Sequence, residues 1–221
     1  ATYLAWMRRA GRFRPMISRI LREAGVPQDL FYVAMIESGL NPRAYSRARA
    51  VGLWQFMAHT GRMQGLRRTH WVDERRDPLK STRAAARHLR DLHQRLQDWR
   101  LAIAAYNCGQ GRVERAMARA GTRDFWELDL PRETRNYVPL FMAATTIGHN
   151  PEVFGFTPPT PDPPFAYDEV VLPRRLPYVD LRVAADLMDV EYAELRDLNP
   201  ELRQRITPPD PERRGYRLRV P

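Results

Sequence analysis

Apolar residues recur at helical spacing through the first two thirds of the chain, and that rhythm stops near residue 156. Met16, Ile17, Ile20 and Leu21 form a short amphipathic stripe that ends before Gly25. A second apolar run follows in Phe31-Tyr32-Val33-Ala34-Met35-Ile36. Pro27 suits the first turn of this helix and Gly39 the residue just past its end. Asp77-Pro78 is a capping residue followed by a first-turn proline, opening a helix through Ala86, Leu89, Leu92 and Leu96. Residues 99–107 predict an Ala-rich helix closed by Gly109, and 111–120 another closed by Gly121. Pro131 opens a long helix through Tyr137, Leu140 and Ala144, with Pro139 expected to kink it or to shift its start. Leu53, Phe56 and Met57 also stand at helical spacing and read as core first and cleft second.

Five prolines fall within residues 156–164, a density that forbids helix and central strand and predicts a stiff, extended connector. Beyond it, 169–172 reads as a short strand, 181–188 and 192–198 as short helices, and 216–220 alternates like a strand. The pattern therefore predicts a mainly α chain in three parts. A helical unit spans 1–156, a proline-rich connector 157–168, and a small α+β element 169–221.

One residue breaks the polarity of the second helix. Leu30, Val33 and Ala34 precede Glu37 by seven, four and three residues, so helical spacing puts this glutamate on their apolar stripe. A carboxyl there is partly desolvated and close to the negative end of the helix dipole. Both effects disfavour ionisation and keep a proton available near neutral pH, as a general acid requires. An unpaired carboxyl on an apolar face is costly without a function. The nearest acidic cluster, Asp73, Glu74 and Asp77, has Arg75 and Arg76 among it and reads as an ion-paired loop and helix cap. No residue pairs with Glu37 in an obvious way.

Composition narrows the classes. The chain has 221 residues, enough for a sizeable core, and no apolar run long enough to cross a bilayer. It opens on Ala1 without the basic and apolar segments of a signal peptide, which fits a cytoplasmic protein or a mature or truncated form. A single cysteine, Cys108, allows no intrachain disulfide. The net charge of +10 favours polyanionic partners, yet the arginines are scattered and no nucleic-acid-binding signature is present. A solvated basic surface is the preferred reading, with no nucleic acid as partner. His88 and His93 are five residues apart, wrong for one helical face, and no HExxH occurs, so neither metal nor cofactor is expected.

Three segments belong together: Glu37-Ser38, Gly52-Leu53-Trp54-Gln55-Phe56-Met57, and Ala105-Tyr106-Asn107-Cys108-Gly109. With Asn41-Pro42, the 71–78 segment and Pro131-Arg132-Glu133-Thr134-Arg135-Asn136-Tyr137, they resemble the lytic murein transglycosylases of the soluble-lytic-transglycosylase type, glycoside hydrolase family 23. The similarity runs from about Phe13 to Phe156. The resemblance implies a lysozyme-like helical fold with Glu37 as the only catalytic carboxylate, acting as acid and then base. The implied reaction cleaves peptidoglycan between N-acetylmuramic acid and N-acetylglucosamine and leaves 1,6-anhydromuramoyl ends. By the same resemblance Ser38 would help fix the Glu37 carboxyl, and Ser46 would bond substrate or the acid. Gln55 would bind the N-acetyl sugar with Met57 beside it, Gly52 would let backbone approach the cleft, Tyr106 and Asn107 would line the groove, and the Tyr137 hydroxyl would point at the acid. By residue type alone, Tyr106 and Tyr137 fit core tyrosines equally well, and Trp54 fits packing better than a sugar platform.

Two departures stand out from that family's pattern. Ala58-His59-Thr60 replaces a Pro-Gly-Thr-like sequence, and Cys108 takes a place usually held by a small residue. Residues 181–221, with Leu195-Arg196-Asp197-Leu198-Asn199-Pro200 and the closing strand, resemble a degenerate LysM module that lacks the usual opening turn. Glycan binding by the tail and a purely structural role both remain open at this point. The family further implies glycan strands as partner and the periplasm or outer membrane of a Gram-negative bacterium as location, with any membrane anchoring through a segment absent from this chain. The alternatives are a hydrolytic muramidase, which needs a second carboxylate facing Glu37, and a non-catalytic wall-binding protein.

Overall fold

The computed structural model describes residues 2–173, 178–209 and 215–221. Helix α1 (Thr2–Glu23) runs further toward the amino terminus than the stripe at 16–21 predicts. Its early turns hold because Tyr3, Trp6 and Ala10 pack against the same core as Phe13 and Ile17. Helix α2 (Phe31–Ser38) is short and ends on Gly39, whose φ of +56° is the left-handed conformation a helix end favours. Helix α3 (Ala58–Met63) is brief and begins with the Ala58-His59-Thr60 segment.

Helix α4 (Pro78–Leu96) is capped as expected: Asp77 Oδ1 accepts from the amides of Leu79 and Lys80. Helix α5 (Trp99–Cys108) is capped by Asp98 and is buried along Leu101–Ala105. Its small alanines admit close neighbours on several sides: α4, α6 (Gln110–Ala120) and α7 (Arg132–His149) all pack against it. Helix α7 starts at Arg132 and continues through Pro139, so the proline does not move its start.

The segment 51–56 corrects a sequence expectation. Leu53 and Phe56 are buried, but they sit on a tight turn closed by pairing of Val51 with Phe56. Gly52 at φ +88° and Gln55 at φ +47° end any helical path there. Gly52 allows a close backbone approach, but to the Arg75 carbonyl rather than to the cleft. A Cβ at Gly52 would lie 1.9 Å from that oxygen.

The proline-rich connector lies along α1. The amides of Asp162 and Phe165 donate to the carbonyls of Arg8 and Arg12, and Phe165 enters the main core beside Phe13. The carboxy-terminal unit pairs β1 (Asp168–Val171) antiparallel with β2 (Arg217–Val220) around α8 (Leu181–Leu187) and α9 (Tyr192–Leu198). Its own apolar core includes Val72 from the helical unit, while Leu198 enters the main core.

A buried ion cluster joins the two units. Arg219 Nη2 donates to Asp77 Oδ2 at 2.5 Å, and Nη1 donates to Glu201 Oε2 at 3.3 Å. Burial alone would weaken the guanidinium as a base, but the two carboxylates outweigh it and hold its pKa above the ordinary value. Asp73 and Glu74 are tied as the ion-paired loop expects. Asp73 accepts two bonds from the Arg75 guanidinium, and Glu74 accepts from Arg67 and Lys80. Among the described residues no helix is long and apolar enough to cross a membrane.

Candidate active site

Glu37 is the penultimate residue of α2, and the stripe it shares with Leu30, Val33 and Ala34 is buried. The side chain is half-buried at the floor of an open cleft of about 530 Å³. Desolvation pushes its pKa up to about 7. Tyr137 Oη donates a hydrogen bond to Glu37 Oε1 at 2.5 Å, which opposes that rise, and the Glu133 carboxylate adds to it. Burial keeps both Tyr137 and Tyr106 protonated well past their ordinary range, with the nearby Glu37 charge adding to the effect. The phenol facing the carboxyl is therefore a donor. Tyr137→Phe is expected to raise the Glu37 pKa further and Glu133→Gln to lower it. A carboxyl-carbon NMR titration reads both, and movement in the opposite senses contradicts this account.

The cleft gathers Ser46, Gln55, Met57, Tyr106 and Asn107 around Glu37. Gln55 stands on the 51–56 turn with its amide donating to the Gly52 carbonyl at 2.8 Å. Ser46 Oγ accepts from the Ala50 amide at 3.0 Å, holding the turn that borders the cleft. Met57 is exposed on the rim. Tyr106 both lines the groove and donates to the Trp54 carbonyl at 2.8 Å. Asn107 accepts from the Thr134 hydroxyl at 2.7 Å and turns its amide toward Glu133 at 3.4 Å. Trp54 is fully buried, with its indole N–H on the Thr82 hydroxyl, so it packs rather than offers a sugar platform.

Ser38 is placed differently from its expectation. Its hydroxyl donates to the Leu53 carbonyl at 2.8 Å and to Ala34 at 3.1 Å, tying α2 to the Gln55 turn instead of bonding Glu37. The reason is helical geometry: a serine near a helix end reaches its own upstream carbonyl and whatever packs above it.

Several cleft residues were missed in the sequence, among them Glu133, Thr60 and His88. Glu133 is an exposed second carboxylate, one helical turn before Tyr137 and on its face of α7; that i, i+4 spacing was the available signal. Thr60 comes from α3. His88 lies with its ring 5.6 Å from that of Tyr106, and burial lowers its pKa. Nothing in the α4 pattern itself reveals that neighbour. A larger hollow of about 710 Å³ follows the seam with the carboxy-terminal unit, but Glu37 is not part of its lining. A desolvated acid with a donor phenol, set in an open groove, suits protonation of a leaving oxygen.

Residues 15–128 match the family described as Transglycosylase SLT domain, and 166–221 match that described as Lytic transglycosylase MltD, LysM-like domain. The chain is 36% identical over 196 residues to membrane-bound lytic murein transglycosylase D of Escherichia coli strain K12. That alignment takes in 86% of this chain and 43% of that protein, so the chain spans less than half of its relative's length. Among solved structures, the 70 kDa soluble lytic transglycosylase of Escherichia coli matches 67% of this chain and 25% of its own at 26% identity, with a TM-score of 0.53. An inactive mutant of lytic transglycosylase Slt from Pseudomonas aeruginosa matches 66% of this chain and 25% of its own at 26% identity, with a TM-score of 0.51. With just over half of its 221 residues inside the first match, the chain belongs to the Transglycosylase SLT domain family.

Proposed function

We propose that the chain cleaves the β-1,4 bond between N-acetylmuramic acid and N-acetylglucosamine in peptidoglycan and closes a 1,6-anhydro ring on the muramoyl product. The observation that carries this reading is the half-buried Glu37 carboxyl on the cleft, bonded by the Tyr137 hydroxyl and with its pKa pushed up to about 7 by desolvation. Glu37 gives its proton to the glycosidic oxygen as the bond from C1 breaks. The ionised carboxylate then takes the proton of the C6 hydroxyl as that oxygen bonds to C1. One group serving both steps needs a pKa near the working pH. Gln55, Ser46, Met57, Tyr106 and Asn107 are the proposed glycan contacts, and Ser38 acts on the Gln55 turn from beneath. In this reading residues 1–156 are the catalytic unit, 157–168 the connector and 169–221 the LysM-like unit. The protein then works in the envelope of a Gram-negative bacterium, in the periplasm or at the outer membrane.

Glu133 favours a second reading, hydrolysis, because two carboxyl groups flanking a scissile bond can activate water. Mass spectrometry of digested peptidoglycan separates the two. Anhydro ends are expected, and they should persist in Glu133→Gln. Reducing ends that vanish in that variant would establish the hydrolase instead, and no cleavage at all would leave a wall-binding protein.

A further inference from the structure

Arg75 does not line the cleft, yet it bonds both turns that do. Its Nε and Nη2 donate to Asp73 at 2.9 and 2.7 Å, and Nη1 donates to the carbonyls of Arg49 at 3.2 Å and Phe56 at 3.0 Å. Arg49 belongs to the turn that carries Ser46, and Phe56 closes the turn that carries Gln55. Each turn holds a non-glycine residue in the left-handed region, Arg49 at φ +67° and Gln55 at φ +47°. Such residues persist only where the surroundings hold them. The guanidinium and Asp73 are both buried, so these bonds face little competition from water.

The loop from which Arg75 projects is itself held by the carboxy-terminal unit. The Asp73 amide donates to the Glu201 carbonyl at 2.9 Å, the Arg203 amide donates to the Trp71 carbonyl at 2.8 Å, and Val72 pairs with Leu202. A continuous set of bonds thus runs from the carboxy-terminal unit through Asp73 and Arg75 to the two cleft turns. We propose that Arg75 is a positioning residue that sets the spacing of the Ser46 and Gln55 turns for glycan binding, and that the carboxy-terminal unit acts on the cleft by holding the Arg75 loop. This rests on the reading of the cleft as a glycan site.

The test compares the wild type with Asp73→Asn/Arg75→Met, which removes the guanidinium without leaving Asp73 as a buried unpaired charge. Arg75→Lys is the conservative partner, since one ammonium cannot bridge Asp73, Arg49 and Phe56 together. Each is assayed on a soluble glycan oligomer well below its own Tm. KM is expected to rise about tenfold in the pair variant and less in Arg75→Lys, with kcat and the pH profile little changed. Arg219→Lys, acting from the carboxy-terminal unit, should raise KM in the same sense. A purely stabilising role would lower Tm and leave KM alone. Wild-type KM in both Arg75 variants overturns the proposal, and if the pair variant does not fold, Arg75→Lys decides by the same criterion. A wild type that leaves glycan uncut overturns the functional reading instead, and that result precedes any variant.

Discussion

Glu37→Gln is expected to slow glycan cleavage by about 10³- to 10⁴-fold, the upper range for a general acid, because one carboxyl serves both proton transfers. Glutamine keeps the shape and can still accept the Tyr137 hydroxyl, so glycan binding should survive. Assay of anhydro-product release alongside glycan binding checks both halves, and turnover near the wild-type rate would refute the assignment. The same variant carries a stability signature. In the folded chain Glu37 holds its proton up to about pH 7, whereas its ordinary pKa is 4.5. Between those values the folded state binds more protons than the unfolded state, so the Glu37 contribution is fully present below pH 4.5 and is lost as pH rises through 7. Removing the ionisable group should therefore leave stability unchanged at low pH and raise it by about 3 kcal/mol above pH 7. Thermal unfolding of both proteins across that range measures the difference. A gain at acid pH instead would mean that the carboxyl is not desolvated.

The second large effect falls on stability, at Arg219. Arg219→Met should destabilise the protein by about 3–5 kcal/mol, because it strands Asp77 and Glu201 as buried carboxylates with no cation between them. For a chain of this size that is a fall in Tm of about 10 °C, read by calorimetry. Burial, then Asp77, already raise the Glu201 pKa, and loss of the guanidinium removes the main opposing influence. The folded variant then binds more protons than the unfolded chain, so its deficit should shrink as pH falls. Adding Asp77→Asn and Glu201→Gln should recover much of the loss. A deficit that is independent of pH would point to lost packing of the Arg219 stem rather than to charge.

The sequence carried the helices because periodicity and caps act within a few residues. Asp77-Pro78 marked the start of α4 and Gly39 the end of α2, and both hold in the structure. The same local rule misled at Leu53, Phe56 and Met57, where apolar spacing looked helical but Gly52 is pressed against the Arg75 carbonyl and the chain must turn. Pro139 likewise carried a local warning that α7 absorbs without changing its start.

Glu37 was legible as a candidate acid because a carboxyl among Leu30, Val33 and Ala34 contradicts its own helix, and the contradiction is local. Neither its partner nor that of Asp77 was legible from pattern. Tyr137 is 100 residues away, and Arg219 lies 142 residues from Asp77. Only the family motif suggested the first, and nothing suggested the second. Hydrophobic rhythm records which side of a helix faces inward, a property of the segment alone. Which polar groups meet across the groove depends on how whole helices pack, so Glu133 in the cleft, Ser38 on Leu53 and the Arg75 brace were settled only when the chain closed on itself.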